Sequence, residues 1–215
     1  MEDEFGFSVD WFPSGYLFLA YTEEKRQAFL KILGLQQSLG LDVRFVEPVD
    51  IRRRFNYINI NGVLGGTYCP TDGQADPFFV LKGYMLGMVK GGSNVKTHAE
   101  VVGIDHHRSD VFEVAIADGD KFYASKVLNA AGPCSKSIGE MVGIDLLAEP
   151  ERHESLITEG IEFKAIPMIV DYRPDGCYFV QRTTGQIIGC YTPEVQIPGT
   201  DTGSTFEFLT EMPRR

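Results

Sequence analysis

Three apolar stretches follow one another too closely to be joined by helices. They are NVKTHAEVVGIDHH (Asn94–His107), VFEVAIA (Val111–Ala117) and KFYAS (Lys121–Ser125). The turns between them contain Arg108-Ser109-Asp110 and Asp118-Gly119, and an Asp-Gly pair is a strong hairpin signal. Strands linked this tightly run antiparallel, because a parallel return needs a crossover of about a dozen residues or more. The sequence therefore predicts a three-stranded antiparallel meander. A second hairpin is expected near the end, where GCYFVQR and QIIGCY flank Thr183-Thr184-Gly185. Helical segments are interleaved with these strands, so the expected class is mixed α/β.

The first third supplies two of those helices. GYLFLA (Gly15–Ala20) reads as a buried strand. Thr22 then caps a helix whose first turn carries Glu23 and Glu24, where the helix dipole favours negative charge. Phe29, Ile32, Leu33, Leu35 and Leu39 form its apolar stripe, and Gly40 ends it. LDVRFV is a short strand. Pro48 opens a second helix, with Arg52, Arg53 and Arg54 as its solvated face. GVLGGTYC (Gly62–Cys69) is a glycine-rich strand of the kind that lets another backbone approach closely. Asp76 caps and Pro77 begins FFVLKGYMLGMVKG. Gly83, Gly87 and Gly91 lie four apart there, which suggests a helix packed tightly on a sheet. A helix over about Ser135–Val142 ends at Gly143. HESLIT and PMIVDY add strands, and TFEFLTEMPRR begins another helix.

Charge and composition exclude several functions. Asp and Glu outnumber Lys and Arg by 30 to 20, against the basic footprint that nucleic-acid binding needs. No run of 18 apolar residues exists, so no membrane span is expected. The acidic start, MEDEFGF, lacks the apolar core of a signal peptide. Cys69, Cys134, Cys177 and Cys190 form no C-x-x-C pair, which leaves a zinc ribbon or redox dithiol unsupported. Reduced, buried thiols in a cytoplasmic protein are the expectation. The four histidines, His98, His106, His107 and His153, lack metal-ligand spacing. Ser14, Ser135 and Ser155 lack a nucleophile-elbow context. Asp72 and Asp76 read as turn and cap residues.

The stretch VLNAAGPCS (Val127–Ser135) carries the strongest chemical suggestion. Val127-Leu128 reads as a buried strand and Asn129 as the start of a turn. Ala130, Ala131 and Gly132 remove side-chain bulk, and Pro133 stops the ladder. Two readings stand side by side: a tight strand-to-helix turn, or close backbone approach to a cofactor. No two of the 23 glycines are separated by a single residue. G-x-G-x-x-G is therefore absent, and so is the P-loop.

The order of motifs adds a resemblance. D-G-x-x-D-P (Asp72 to Pro77) opens a helix, E-V-x-G-I (Glu100 to Ile104) follows, then the meander, then N-A-A-G-P. This resembles the FAD-dependent amine oxidoreductases related to D-amino acid oxidase, glycine oxidase and sarcosine oxidase. The β-subunit-like sarcosine oxidases and the dimethylglycine dehydrogenases are the nearest in pattern. SGYLFLA with its TEE helix, AEPERHESLIT, PMIVD and GCYFVQRTTGQIIG are similar to strands of their substrate domain. The likeness runs over roughly residues 14 to 213.

The resemblance implies FAD, with Val101 at a backbone contact to the adenine and Asn129, Ala130, Ala131 and Gly132 where a strand end passes the cofactor. It implies Tyr178, Phe179, Gln181 and Arg182 on a substrate sheet facing the flavin ring. Residues 1–71 and 146–215 would be two segments of the substrate domain, with a mostly antiparallel sheet. Residues 72–145 would be part of the FAD-binding domain. The substrate would be a small amino acid or N-methyl amino acid, oxidised at its C–N bond.

Departures from the family are informative. The N-terminal G-x-G-x-x-G unit and the glycine-rich segment that closes over the flavin are missing. The chain thus reads as the middle of a longer enzyme. Alone it is expected to bind FAD weakly or not at all, the remaining walls coming from the parent or a partner subunit. The second hairpin strand, QIIGCY, lacks the lysine that some family oxidases carry, which puts oxidase activity in question. Val180 replaces an arginine of the family's YFR, and by strand alternation Arg182 shares Val180's face. Two rival readings remain: a 2-hydroxy-acid or glycerol-3-phosphate dehydrogenase of the same architecture, and a non-catalytic module that has lost the flavin.

Overall fold

A computed structural model describes residues 2–107, 110–195 and 198–215. The Arg108-Ser109 part of the first meander turn lies outside the described residues. The chain divides into two compact units. The first comprises residues 1–87, 153–194 and 204–215, and the second comprises residues 88–152 and 195–203. In chain order the elements are α1 (Glu2–Phe5), β1 (Tyr16–Ala20), α2 (Glu23–Ser38), β2 (Arg44–Val46), α3 (Pro48–Arg54) and β3 (Gly65–Cys69). Next come α4 (Pro77–Lys90), β4 (Val101–His107), β5 (Val111–Ile116), β6 (Lys121–Ala124) and α5 (Ser135–Glu140). β7 (Leu156–Ile157), β8 (Met168–Asp171), β9 (Tyr178–Gln181), β10 (Ile187–Cys190) and α6 (Phe206–Glu211) complete the chain.

The first unit is built on a seven-stranded sheet in the order β2-β3-β1-β8-β9-β10-β7. Only the β1–β8 pair is parallel; the other neighbours are antiparallel. The register pairs Leu17 with Tyr68 and with Ile169, and Ile169 with Phe179. These residues share one face. They join Leu19, Ile51, Phe55, Val63 and Ile166 in the main core. Ile51 and Phe55 reach it because Pro48 sets the first position of α3 and points that short helix at the sheet. Burying each such side chain contributes roughly 1.5–3 kcal/mol.

Helix α2 starts where expected. The Thr22 hydroxyl accepts a hydrogen bond from the Lys25 amide at 3.2 Å. Its stripe is narrower than the sequence pattern: Phe29 and Leu33 are half-buried, while Ile32, Leu35 and Leu39 stay exposed. Helix α4 departs further. Asp76 accepts from the amides of Phe78 and Phe79, so the cap and start are as expected. Of the three spaced glycines, however, only Gly83 is buried, and Gly91 lies beyond the helix end. Phe78 is 76% exposed, and Leu81, Tyr84 and Met88 are also open. Among the described residues the glycine spacing finds no sheet to pack on.

The second unit holds the meander β4-β5-β6. Its register runs His107↔Val111 on one side and Phe112↔Ala124 on the other, with a bulge between Val101 and Gly103. Glu113 on β5 is an anchor, accepting from Lys121 Nζ at 2.5 Å and Tyr123 Oη at 2.9 Å. Val127-Leu128 corrects the sequence reading. This segment forms no strand and Leu128 is 90% exposed. An isolated stretch cannot satisfy a strand's backbone groups, and neither sheet includes it among its strands. Among the described residues, no helix is long and apolar enough to cross a membrane.

Candidate functional site

The terminal hairpin of the first unit is fixed from below by one side chain. Gln181 at the end of β9 is fully buried. Its Oε1 accepts from the Lys164 amide at 2.7 Å, and its Nε2 donates to the carbonyls of Glu162 (2.9 Å) and Gly185 (3.2 Å). A buried amide with these partners is satisfied and clamps the turn to the preceding loop. The Gln181 carbonyl accepts in turn from Gln74 Nε2 at 2.5 Å. Next to it, Arg182 Nη2 donates to Asp76 Oδ2 at 2.5 Å. Thr183 Oγ1 donates to Asp10 Oδ2 at 3.0 Å. The P-T-D-G-Q-A-D-P loop thus grips the hairpin through Gln74 and Asp76.

Strand alternation separates the four substrate candidates. Phe179 faces the main core with Ile169, while Tyr178 pairs with Val170 and faces the other way. On that second face, Phe18 sits beside Val170 in register. It stacks on Tyr16 at 4.6 Å and on Tyr172 at 5.7 Å, with Phe29 edge-on at 6.3 Å. Lys25 Nζ lies 4.4 Å above the Tyr172 ring. Burial pushes the Tyr178 phenol up to about 12, aided by its hydrogen bond with Cys190. Burial also raises Tyr16, with Tyr172 and Asp72 adding to the effect. Both phenols are therefore neutral across the physiological range. The result is an aromatic wall with protonated hydroxyls and a half-buried centre. Such a wall can hold a small apolar body.

In the second unit, Asn129 closes a turn on itself. Its Oδ1 accepts from the Ala131 amide at 3.2 Å and its Nδ2 donates to the Ser135 carbonyl at 2.8 Å. Ala130, Ala131 and Gly132 are exposed. Gly132 has φ +54°, and a Cβ built there would meet nothing within 4 Å. A 3-10 turn (Gly132–Cys134) then leads into α5. Side chains are thus kept off one surface of this backbone, which leaves it open to a flat group. Val101 is half-buried at the start of β4, opposite Ile116.

A family model described as FAD dependent oxidoreductase matches residues 1–212. The chain belongs to that family. Human mitochondrial dimethylglycine dehydrogenase is 27% identical over 95% of this chain, which spans 24% of the relative's length. Mouse mitochondrial sarcosine dehydrogenase is 24% identical over 80% of the chain and 19% of its own length. Among solved structures, L-proline dehydrogenase from P. horikoshii superposes with a TM-score of 0.86 at 28% identity, over 99% of this chain and 57% of that one. Glycine oxidase from Geobacillus kaustophilus gives 0.82 at 18% identity, a likeness of fold. The chain therefore spans about a quarter of the length of the first of these curated relatives. The mixed α/β architecture and the family membership were both legible in the motif order.

Family membership implies FAD, and the Asn129–Gly132 turn fits such a group. It is an exposed backbone with only small side chains at residues 130–132, and its one polar side chain, Asn129, is already occupied in holding its shape. The sequence reading missed two features of the first unit. The Tyr16, Phe18 and Tyr172 wall had a signal in the alternation of Tyr16 and Phe18 along one strand. Gln74 and Asp76 were read only as loop and cap. Their reach to residues 181 and 182 is a tertiary fact with no local trace.

Proposed function

We propose that this chain is the substrate-binding region, with part of the cofactor fold, of a FAD-dependent dehydrogenase acting on the C–N bond of a small amino acid or N-methyl amino acid. The first unit is the substrate part and the second the cofactor part. The observation that carries the reading is the aromatic wall of Tyr16, Phe18, Tyr172 and Tyr178, within a chain whose family is FAD-dependent. The names of the dimethylglycine, sarcosine and L-proline dehydrogenases support the amine class. Strand β10 reads Ile187-Ile188-Gly189-Cys190 and carries no basic side chain, which favours dehydrogenase over oxidase.

In this reading Asn129, Ala130, Ala131 and Gly132, with Val101, hold the cofactor by backbone contact. Bound FAD would supply the two-electron oxidant for the carbon next to the amine. The wall would exclude water from the substrate's apolar side, and the neutral Tyr178 hydroxyl, engaged by Cys190, would keep charge off that side. Phe179, Gln181 and Arg182 act from behind, fixing the hairpin that presents Tyr178. Two electrons and a proton from the C–H bond would pass to that oxidant, leaving on the substrate an imine, or an iminium where the nitrogen carries no hydrogen, that water would hydrolyse. The remaining walls come from the rest of the parent or a partner subunit. A reducing, cytoplasmic compartment agrees with the four free thiols.

The test is the flavin absorption spectrum of the full-length parent under anaerobic conditions, before and after adding sarcosine, dimethylglycine or L-proline. Bleaching by one of these amines is expected. Bleaching by glycerol 3-phosphate or a 2-hydroxy acid alone would sink the amine reading. A full-length protein without flavin would support a non-catalytic module.

A further inference from the structure

We infer that the groove between β2, α3 and β3 is a binding site for a small molecule with an oxyanion head and an apolar body, the head held by the guanidinium of Arg54. The cavity encloses about 530 Å³, within the usual range for small-molecule sites. Arg44, Arg53 and Arg54 line it, together with apolar surface from Val46, Phe55 and Tyr68. It opens on the face of the sheet opposite the Tyr178 wall, since Tyr68 and Phe55 belong to the main core. It is therefore independent of the proposed amine site.

The arginines are not equivalent. Arg44 is engaged by Asp42 through Nε (3.1 Å) and Nη2 (2.9 Å). Arg53 is engaged by Asp50 at 2.7 Å. Arg54 has no carboxylate within ion-pair distance among the described residues. Its orientation comes from packing. The guanidinium lies 4.7 Å from the Tyr68 ring centre and 5.6 Å from that of Phe55, and Nη2 donates to the Tyr68 hydroxyl at 3.1 Å. Tyr68 is itself buried, so the platform is rigid.

One donor is used, and the remaining N–H groups of the fork are open. A planar guanidinium fixed on aromatic faces and lacking a counter-charge is pre-organised for a phosphate or carboxylate. Three arginines in the last turn of α3 also complement the helix dipole, which accounts for their charge. It does not account for the ring platform under Arg54 alone. Arg52, two residues earlier, lines no part of the cavity.

Isothermal titration of the full chain at low salt, with phenyl phosphate and with benzoate, tests the site and separates the two head groups. Saturable binding of at least one is expected, tighter than that of inorganic phosphate or acetate, which lack the body. Arg54→Met keeps the stem over the rings and removes the fork, and should weaken binding at least about tenfold. Arg54→Lys should fall between, because it keeps charge without bidentate geometry. Arg52→Ala should bind as the parent does, and thermal melts of each variant confirm folding. No saturable binding of either probe up to about 10 mM would overturn the proposal. So would binding that survives Arg54→Met, or that Arg52→Ala weakens equally.

Discussion

Arg182 donates to the carboxylate of Asp76 at 2.5 Å, across 106 residues of sequence. The same carboxylate, through its other oxygen, caps helix α4 by accepting from Phe78 and Phe79. One side chain thus starts a helix and holds the terminal hairpin. Burial works against its ionisation, but Arg182 and the two amides outweigh this and lower the Asp76 pKa below its ordinary 3.8.

A carboxyl with a lowered folded-state pKa stabilises the fold above its unfolded value and loses that contribution as pH falls through the folded one. Asp76→Asn preserves a good cap but removes the charge. The variant should melt lower than the parent at pH 7. The gap should narrow as the pH drops below 3.8 and close below the lowered folded-state pKa, where Asp76 is protonated in the folded and the unfolded chain alike. Thermal melts from pH 7 to acid measure this, and a constant gap would show that the charge contributes nothing.

Gln181 tests whether the hairpin is held by its buried amide. Gln181→Leu is close in volume but strands the Lys164 amide and the Glu162 carbonyl, while the Gly185 carbonyl keeps the Ile161 amide. Each unsatisfied buried group costs about 1–3 kcal/mol, so a loss of about 2–4 kcal/mol in urea denaturation is expected. A loss under about 1 kcal/mol would mean that water replaces these partners.

Most of the elements were legible because their signals are local. Thr22, Pro48 and Asp76 start helices where their chemistry dictates. The Asp118-Gly119 turn joins β5 to β6. What failed was burial. The Gly83, Gly87 and Gly91 spacing and the Val127-Leu128 run describe faces suited to partners, and among the described residues Gly87, Gly91, Val127 and Leu128 are exposed while Gly83 alone is buried. A pattern in sequence reports that a face is apolar, not what covers it. The arrangement of the site was partly hidden for a related reason. Adjacent residues Tyr178 and Phe179 look alike in sequence, yet the β8–β9 register sends them to opposite faces.

Two glycines separate hard from soft close approaches. A Cβ at Gly66 would lie 2.3 Å from the Phe18 carbonyl oxygen, a backbone atom in the neighbouring strand. A Cβ at Gly189 would meet the Met212 methyl at 2.5 Å, the far end of a flexible side chain. Gly66→Ala must therefore push β1 and β3 apart and should cost about 1–3 kcal/mol or more. Gly189→Ala should cost less than about 1 kcal/mol once Met212 re-orients. Equal losses in parallel urea titrations would contradict the distinction.

The thiols offer a test of the burial map that needs no mutation. Cys69, Cys177 and Cys190 are buried, whereas Cys134 is exposed beside the Asn129–Gly132 turn. This departs from the sequence expectation of uniformly buried thiols. Burial also pushes the Cys177 and Cys190 thiols up, away from the reactive thiolate. Cys190 further donates to the Glu154 carbonyl at 2.8 Å. A chromogenic disulfide reagent should therefore titrate one thiol quickly in the native chain and all four in denaturant. Cys134→Ser should abolish the fast phase and leave the slow one unchanged. A second fast thiol that disappears in Cys190→Ser would mean that the β9–β10 hairpin opens on the timescale of the reaction. That would remove the rigid backing assigned here to Tyr178.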